Sequence, residues 1–335
     1  MKIKDNTKHI LIKFLDYLKE GVIVVDSDKN IEFINSYASS FFKENPIGKH
    51  FSEVVKDSYL YSLISYEDKK DKKVEVDIDD KKYLVNIYYI EDKKILHLQD
   101  ITPFEVYKQA KKDFVSNVSH ELKTPISVLK SVMETLETEQ DPKMIKKFLE
   151  MAQKRINQMD NLVQDLLILA KLESKEEKIQ KQSVKIHQLV DSIFEDLRHL
   201  TLEKNVKLFN ETPDDYTVYV DEQKFIIALK NLVENAIKYN KPDGIVKVYS
   251  YQQDSNDIVV VEDTGIGIPK ESIPLIFERF YRVDKSRSRN IGGTGLGLSI
   301  VKHIIEAHKG KVWVESKYGT GSKFYIKLPV EKIKI

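Results

Sequence analysis

The chain has 335 residues, too many for one ordinary core, so two or three separately cored units are expected. Its 54 basic and 53 acidic residues leave a net charge of +1, which excludes nucleic-acid binding by bulk charge. There is no cysteine, which removes disulfides, thiolate nucleophiles and thiolate-bound zinc together and leaves histidine, present eight times, for nucleophilic nitrogen chemistry.

No apolar run approaches the roughly 20 residues that span a bilayer, and the start MKIKDNTKHI lacks a secretion-signal core. The chain is therefore expected to be soluble and cytoplasmic. In residues 1–20, Ile10, Leu11, Phe14, Leu15 and Leu18 recur at helical spacing and predict a short amphipathic helix for packing or a dimer seam. Over 21–101, VIVVD, the turn signal SDKN and IEFIN read as a hairpin, followed by short helical pieces across 36–66. KVEVDI, KYLVNIYYI and KILHLQD then read as three strands, making a small α+β domain with an antiparallel sheet.

Residues 102–173 change to a helical period. In ITPFE, Thr102, Pro103 and Glu105 have the order of a capping box with proline in the first turn. Apolar residues follow at Ala110, Phe114, Val118, Leu122, Ile126, Leu129, Met133 and Leu136. Asp141-Pro142 repeats the start signal before a second stripe through Ile145, Phe148, Ala152, Ile156, Met159, Val163, Leu166 and Ala170. Two long helices with a short connection predict an antiparallel hairpin. One hairpin cannot bury both stripes, so a four-helix bundle built by two chains is expected.

Residues 174–182 are a charged linker. Over 183–332, a helix at 184–203, a strand pair near 206–220, a helix at 222–239, strands at 245–262 and a final helix and hairpin at 297–329 predict an α/β domain.

Within the first long helix, VSHELKTP places His120 two positions from Val118 and from Leu122, about 200° one way round and so about 160° the other from each, so it is directed off the seam. That spacing alone also suits an ordinary surface histidine. Its neighbours favour chemistry: a carboxylate such as Glu121, taking the N–H of one ring nitrogen, makes the other a better nucleophile. Thr124 lies one turn on, and Pro125 removes a backbone donor and frees the Glu121 carbonyl.

Six of the twelve glycines fall between 265 and 297, in DTGIGIP and GGTGLGLSI, and the second cluster runs into the apolar helix LGLSIVKHIIEAH. A glycine loop feeding a helix N-terminus favours phosphate. Neither a Walker loop nor a dinucleotide fingerprint is present, so another ATP fold is required. In DEQKFIIALKNLVENAIKYN, Asn231, Glu234, Asn235 and Lys238 fall within about 100° of arc, which suits either a solvated stripe or a magnesium–phosphate site. Asp263 ends the strand IVVVED, as an acceptor for an adenine amine or as a turn residue; an Asp-Thr-Gly protease reading lacks its context. FERFYRVDKSRSR, with two phenylalanines and five cations, reads as a lid over a triphosphate or as solvated charge.

FVSNVSHELKTP, NLVENAIKYN, VEDTGIGIP, FERFYRVD and GGTGLGLSI stand in the order and approximate spacing of the H, N, G1, F and G2 boxes of two-component sensor histidine kinases. The chain resembles the HisKA, PhoR/WalK-like class over about residues 102–332, and 21–101 resembles a PAS sensor through its strand order and the ending DIT. The resemblance implies a multidomain α+β protein: a PAS-like sensor, a helical-hairpin dimerisation domain and an α/β-sandwich ATP-binding domain of the GHKL type.

It further implies that ATP phosphorylates His120, with Glu121 as base, and that Thr124 orients water when the regulator is dephosphorylated. It implies magnesium at Asn235, phosphates near Asn231, Lys238 and Arg282, and the base against Tyr239 and Asp263. Gly265 and Gly267 would shape the pocket, and Gly293, Thr294, Gly295, Leu296 and Gly297 would form the loop and lid hinge. The implied partners are a second copy of the chain and the receiver domain of a response regulator, docking beside Ser127 and Lys130 next to Ile126 and Leu129; no nucleic acid or membrane segment is implied. Lys123 stands where arginine is common, and transmembrane and HAMP segments are absent, so the chain is read as a soluble kinase or as the cytoplasmic part of a membrane kinase. A silent ATP-binding scaffold, and an ATPase or serine kinase on the same nucleotide fold, are the rival readings. His50 and His97 are assigned core or surface roles, with no haem.

Overall fold

The computed structural model describes residues 2–66, 70–174, 179–202, 204–283 and 293–330. It divides into two compact units, Met1–Val115 and Ser116–Ile335.

In the first unit, helix α1 (Lys2–Tyr17) precedes strands β1 (Gly21–Val25) and β2 (Ile31–Ile34). A 3-10 turn (Ala38–Phe41) and helices α2 (Phe51–Val54) and α3 (Ser58–Ser65) follow, then strands β3 (Lys72–Ile78), β4 (Lys81–Ile90) and β5 (Lys93–Asp100). The strands form one antiparallel sheet in the order β2-β1-β5-β4-β3. Strict alternation turns Tyr83, Val85 and Ile87 of β4 inward onto a core with Ile23, Ile31, Leu60, Ile64 and Leu96. Asp79 and Asp80, both at positive φ, make the two-residue turn that twists with the strands they join.

Buried polar groups fasten this unit. Asn35 donates to the carbonyls of Leu15 and Glu20, both at 2.8 Å, and accepts the N–H groups of Val22 and Ala38, tying the end of α1 to the sheet. The buried Lys94 ammonium donates to the carbonyls of Leu63, Ile64 and Tyr66 at the C-terminus of α3, where cations are favoured. His50 caps α2, and His97 pairs with Glu20 at 2.6 Å.

Helix α4 (Thr102–Leu136) starts differently from the expected capping box. The Thr102 hydroxyl accepts the Lys82 N–H of β4, the Asp100 carboxylate takes the Thr102 N–H, and the Glu105 carboxylate pairs with Lys108. The neighbouring strand outcompetes the local box because it offers Thr102 a donor that lies outside the helix. Helix α5 (Pro142–Glu173) starts as expected, with Asp141 accepting the Lys143 N–H.

In the second unit, α4 and α5 form a hairpin in which Pro125, Val132, Leu162 and Leu169 are buried. Beyond it come β6 (Gln182–Lys185), α6 (Ile186–Thr201), β7 (Lys207–Asn210), β8 (Thr217–Val220) and α7 (Glu222–Lys238). Strands β9 (Ile245–Gln253) and β10 (Asn256–Asp263), helix α8 (Gly297–Ala307), and strands β11 (Lys311–Lys317) and β12 (Gly321–Pro329) complete it.

A five-stranded sheet runs β11-β12-β10-β9-β7, antiparallel except for the parallel pair β7–β9. The strand pair expected near 206–220 is therefore split. β7 joins the main sheet and β8 pairs with β6, whose Gln182 begins a strand within the stretch expected as linker. Helices α6, α7 and α8 bury the stripes Ile186/Leu189/Val190/Ile193/Leu197, Phe225/Leu229/Leu232/Val233 and Ile300/Val301/Ile304/Ile305. His308 is fully buried and neutral: Nδ1–H donates to the Ile304 carbonyl and Nε2 accepts the Asp221 N–H, joining the end of α8 to the start of α7.

Candidate functional site

His120, Glu121 and Thr124 are all exposed on α4. Among the described residues, the His120 imidazole and the Glu121 carboxylate have no hydrogen-bond partner. Thr124 donates its hydroxyl to the His120 carbonyl at 3.2 Å, keeping its lone pairs open toward solvent. The histidine is thus anchored only through its backbone, and the residue is exposed to solvent.

The second group gathers around α7. Asn231, Asn235, Lys238 and Tyr239 share its half-buried face while Leu232, Val233, Ala236 and Ile237 fill the core. Lys238 pairs with Glu234 at 2.5 Å. Asn231 donates to the Ile227 carbonyl and turns its oxygen toward Gly297; any Cβ at Gly297 would strike that oxygen, so glycine lets α8 begin directly against α7. Gly295, at φ +72°, accepts the Phe280 N–H at 2.9 Å and packs on the Phe280 backbone. Gly293, Thr294 and Leu296 complete this loop.

Asp263 closes the other side. It is 9% exposed and takes the Gly265 N–H at 2.8 Å, and Ser322, its register neighbour on β12, also bonds it. Burial pushes the carboxyl up to about 6, against those donors, which lower it. The Ile266 N–H donates to the Tyr239 carbonyl, which joins the segment carrying Gly265 and Gly267 to the end of α7. Asn231 is therefore brought to Gly297, and Tyr239 to Gly265 and Asp263, the two groups lying about 12 Å apart along α7 at 1.5 Å per residue. Arg282 is half-buried near the end of the described segment, and residues 284–289 of the expected lid lie outside the described residues.

Sequence reasoning missed what meets this loop. Thr294 donates its hydroxyl to Asp165 of α5 at 2.6 Å and accepts the Leu296 N–H. Glu173 of α5 pairs with Arg279, beside His303. Burial holds the Asp165 carboxyl above the usual carboxylate range, helped by Glu234 and opposed by Thr294 and Lys238. A lone acid inside the apolar stretch LVQDLLILA was the available signal for Asp165. Ser322 carried none beyond its register.

The Asn235 side chain offers a magnesium ion one unengaged amide oxygen, while Glu234 is held by Lys238. The Asn235 amide is half-buried and has no hydrogen-bond partner among the described residues, with the Glu234 carboxylate beside it in sequence. A hard cation shared with phosphate takes such an oxygen.

A helical hairpin presenting an exposed histidine, followed by a mixed-sheet domain with a glycine loop at a helix N-terminus, defines the class of histidine-kinase cores. Residues 220–332 match the family described as histidine kinase-, DNA gyrase B- and HSP90-like ATPase, and 110–175 match the His Kinase A (phospho-acceptor) domain. Residues 16–101 match the PAS domain of the cyclic-di-AMP phosphodiesterase GdpP-like type.

The chain is 32% identical to the sensor protein kinase WalK of Staphylococcus saprophyticus over 98% of its own length and 56% of that protein. It is 31% identical to a WalK of Staphylococcus aureus, over 98% of the chain and 83% of that sequence. The chain thus spans little more than half the length of most of these relatives. Among solved structures, histidine kinase AdeS of Acinetobacter baumannii is similar at TM-score 0.52 and 25% identity, covering 64% of this chain and 98% of that one. Histidine kinase ThkA, solved with the response regulator protein TrrA, shares the fold at TM-score 0.54 and 20% identity, over 96% and 99% of the two chains. The chain belongs to the WalK-like two-component sensor histidine kinases.

No helix among the described residues is long and apolar enough to cross a membrane.

Proposed function

We propose that this chain phosphorylates itself on His120 from Mg-ATP, passes the phosphoryl group to an aspartate on the receiver domain of a response regulator, and also dephosphorylates that regulator. The observation that carries this reading is the exposed His120 imidazole, unpartnered among the described residues and followed in sequence by the exposed carboxylate of Glu121. In this reading, residues 1–20 are an N-terminal helix, 21–101 the sensor, 102–173 the dimerisation and phosphotransfer domain, 174–182 a linker and 183–332 the ATP-binding domain.

Glu121 accepts the N–H of one ring nitrogen, leaving the other lone pair free to attack the γ-phosphorus in line with the leaving ADP. Asp263 accepts the adenine amine, Tyr239 packs on the base, and Gly265 and Gly267 shape the pocket around it. Asn231, Lys238, Arg282 and the loop from Gly293 through Thr294, Gly295 and Leu296 to Gly297 surround the phosphates. Lys238 must leave Glu234 to do so. Asn235 would hold magnesium, which supplies charge neutralisation of the polyphosphate. In the phosphatase step the Thr124 hydroxyl orients water against the phosphorus of the regulator's acyl phosphate, which releases inorganic phosphate and the free aspartate.

Two surfaces support the partners. Ile126, Met133, Leu149, Ile156 and Val163 are 51%, 60%, 54%, 50% and 43% exposed, at heptad spacing along each helix, which suits a four-helix bundle with a second copy. An open groove lined by Ser127, Val128, Ser131, Phe148 and Met151 lies beside Lys130 and Leu129, and we assign the regulator to this face. A kinase of the same fold has been solved with a response regulator, which supports that class of partner.

The test is incubation with ATP labelled at the γ-phosphate. Acid-labile, base-stable label on the wild type and none on His120→Gln is expected. Acid-stable label would favour a serine kinase, and ATP binding without label would leave a scaffold.

A further inference from the structure

Helix α8 begins at Gly297 without a side-chain cap, and the group seated at its approach loop is the carboxylate of Asp165, which takes the Thr294 hydroxyl at 2.6 Å. The same carboxylate lies in the field of Glu234 and Lys238 on α7. Eight residues further along α5, about 12 Å at 1.5 Å per residue, Glu173 pairs with Arg279, and between them Leu169 is 2% exposed. One face of α5, at positions i, i+4 and i+8, is therefore docked on the nucleotide domain beside its glycine loop. Helix α5 packs against α8 along this face.

We infer that Asp165 is a positioning residue of the nucleotide site: from α5 it holds the glycine loop through Thr294 and opposes the polyphosphate by charge, so that ATP loading and release of the loop from α5 are coupled. The inference rests on the ATP reading of the pocket. A triphosphate drawn to Lys238 and the loop brings several negative charges to a region where a half-buried carboxylate already stands, and like charges in a poorly solvated setting repel strongly. The carboxylate must withdraw with α5, or the nucleotide binds against it. Adenosine carries no such charge and enters without this conflict.

The experiment measures binding of ATP and of adenosine to the full chain by calorimetry, for wild type and Asp165→Asn. Asparagine keeps an acceptor for Thr294 and removes only the charge. ATP is expected to bind about tenfold more tightly to the variant, the scale of two like charges about 12 Å apart at an effective dielectric near 20, with adenosine unchanged. Unchanged ATP affinity, or an equal change for both ligands, would overturn the inference while leaving the ATP site in place. Failure of ATP to bind either folded protein would instead remove the ATP reading itself. Should Asp165→Asn not fold, Glu173→Gln loosens the same face from the exposed end of α5. It is expected to tighten ATP about twofold, the value of one exposed ion pair, and no tightening there would overturn the coupling.

Discussion

The Asp263 carboxylate takes the backbone N–H of Gly265 at 2.8 Å while 9% exposed at the end of β10, so one turn residue and one buried charge define each other. Burial raises this carboxyl to about 6, so it is ionised above that pH and neutral below it. The ionised form is the stronger acceptor for an adenine amine. Adenosine affinity is therefore expected to fall as the pH drops through about 6, read by calorimetry between pH 5 and 8; adenosine is the probe because it has no titrating phosphate. Stability moves the other way. A carboxyl raised on folding stabilises the folded chain below its unfolded value near 4, and that contribution is lost as the pH rises through about 6. Asp263→Asn is expected to flatten the adenosine profile without lowering the melting temperature at pH 7.5. A wild-type profile already flat would take the adenine contact away from Asp263.

Glu121→Ala tests the proposed base. Both Glu121 and His120 are exposed on α4, so the substitution leaves no cavity and no orphaned partner. Autophosphorylation is expected to fall by ~10² to 10⁴, the usual worth of a general base, with ATP affinity unchanged. An unaltered rate would leave Glu121 without a part in the transfer.

Asn235→Ala removes the half-buried amide with no hydrogen-bond partner among the described residues. The fold is expected to survive, because Leu232, Val233, Ala236 and Ile237 carry the packing of that stretch. Magnesium-dependent ATP turnover is expected to vanish, and Asn235→Asp is expected to lose it as well. Turnover persisting in either variant would place the metal elsewhere.

How far the sequence could be read depends on where each structural cause sits along the chain. Strand β4 was legible because Tyr83, Val85 and Ile87 alternate within one short run, and α5 because Asp141-Pro142 caps it locally. Strand β6 was hidden: QSVK has one apolar residue, and its partner β8 lies more than thirty positions away. The same distance effect split the expected β7–β8 pair, since β7 runs parallel to β9 and no short turn announces a parallel pair. The capping box at Thr102 failed because β4 supplies a competing donor. In the site, the glycine clusters and the polar face of α7 were visible as local composition. The Asp165–Thr294 contact was not, since periodicity says which residues line a stripe and nothing of what docks beside it.

The proposed dimer seam yields the prediction with the largest lever. Ile156 is 50% exposed in the single chain, so replacing it costs the isolated hairpin little. In a two-fold bundle every seam residue is used twice, so Ile156→Asp would desolvate two carboxylates and withdraw two isoleucines at once. Burying the exposed half of one such side chain is worth about 0.8–1.5 kcal/mol, half the value for full burial, and two of them weaken association by roughly 10 to 10² before the carboxylate penalty is counted. Sedimentation equilibrium at micromolar protein is expected to show a dimer for the wild type and a folded monomer for Ile156→Asp. Ile126→Asp is expected to act in the same way from α4, whereas Lys130→Asp, on a side chain 79% exposed, should leave the dimer intact. If Ile156→Asp and Ile126→Asp both stay dimeric, the two copies meet through some other face, and the heptad stripe has to be assigned to a different partner.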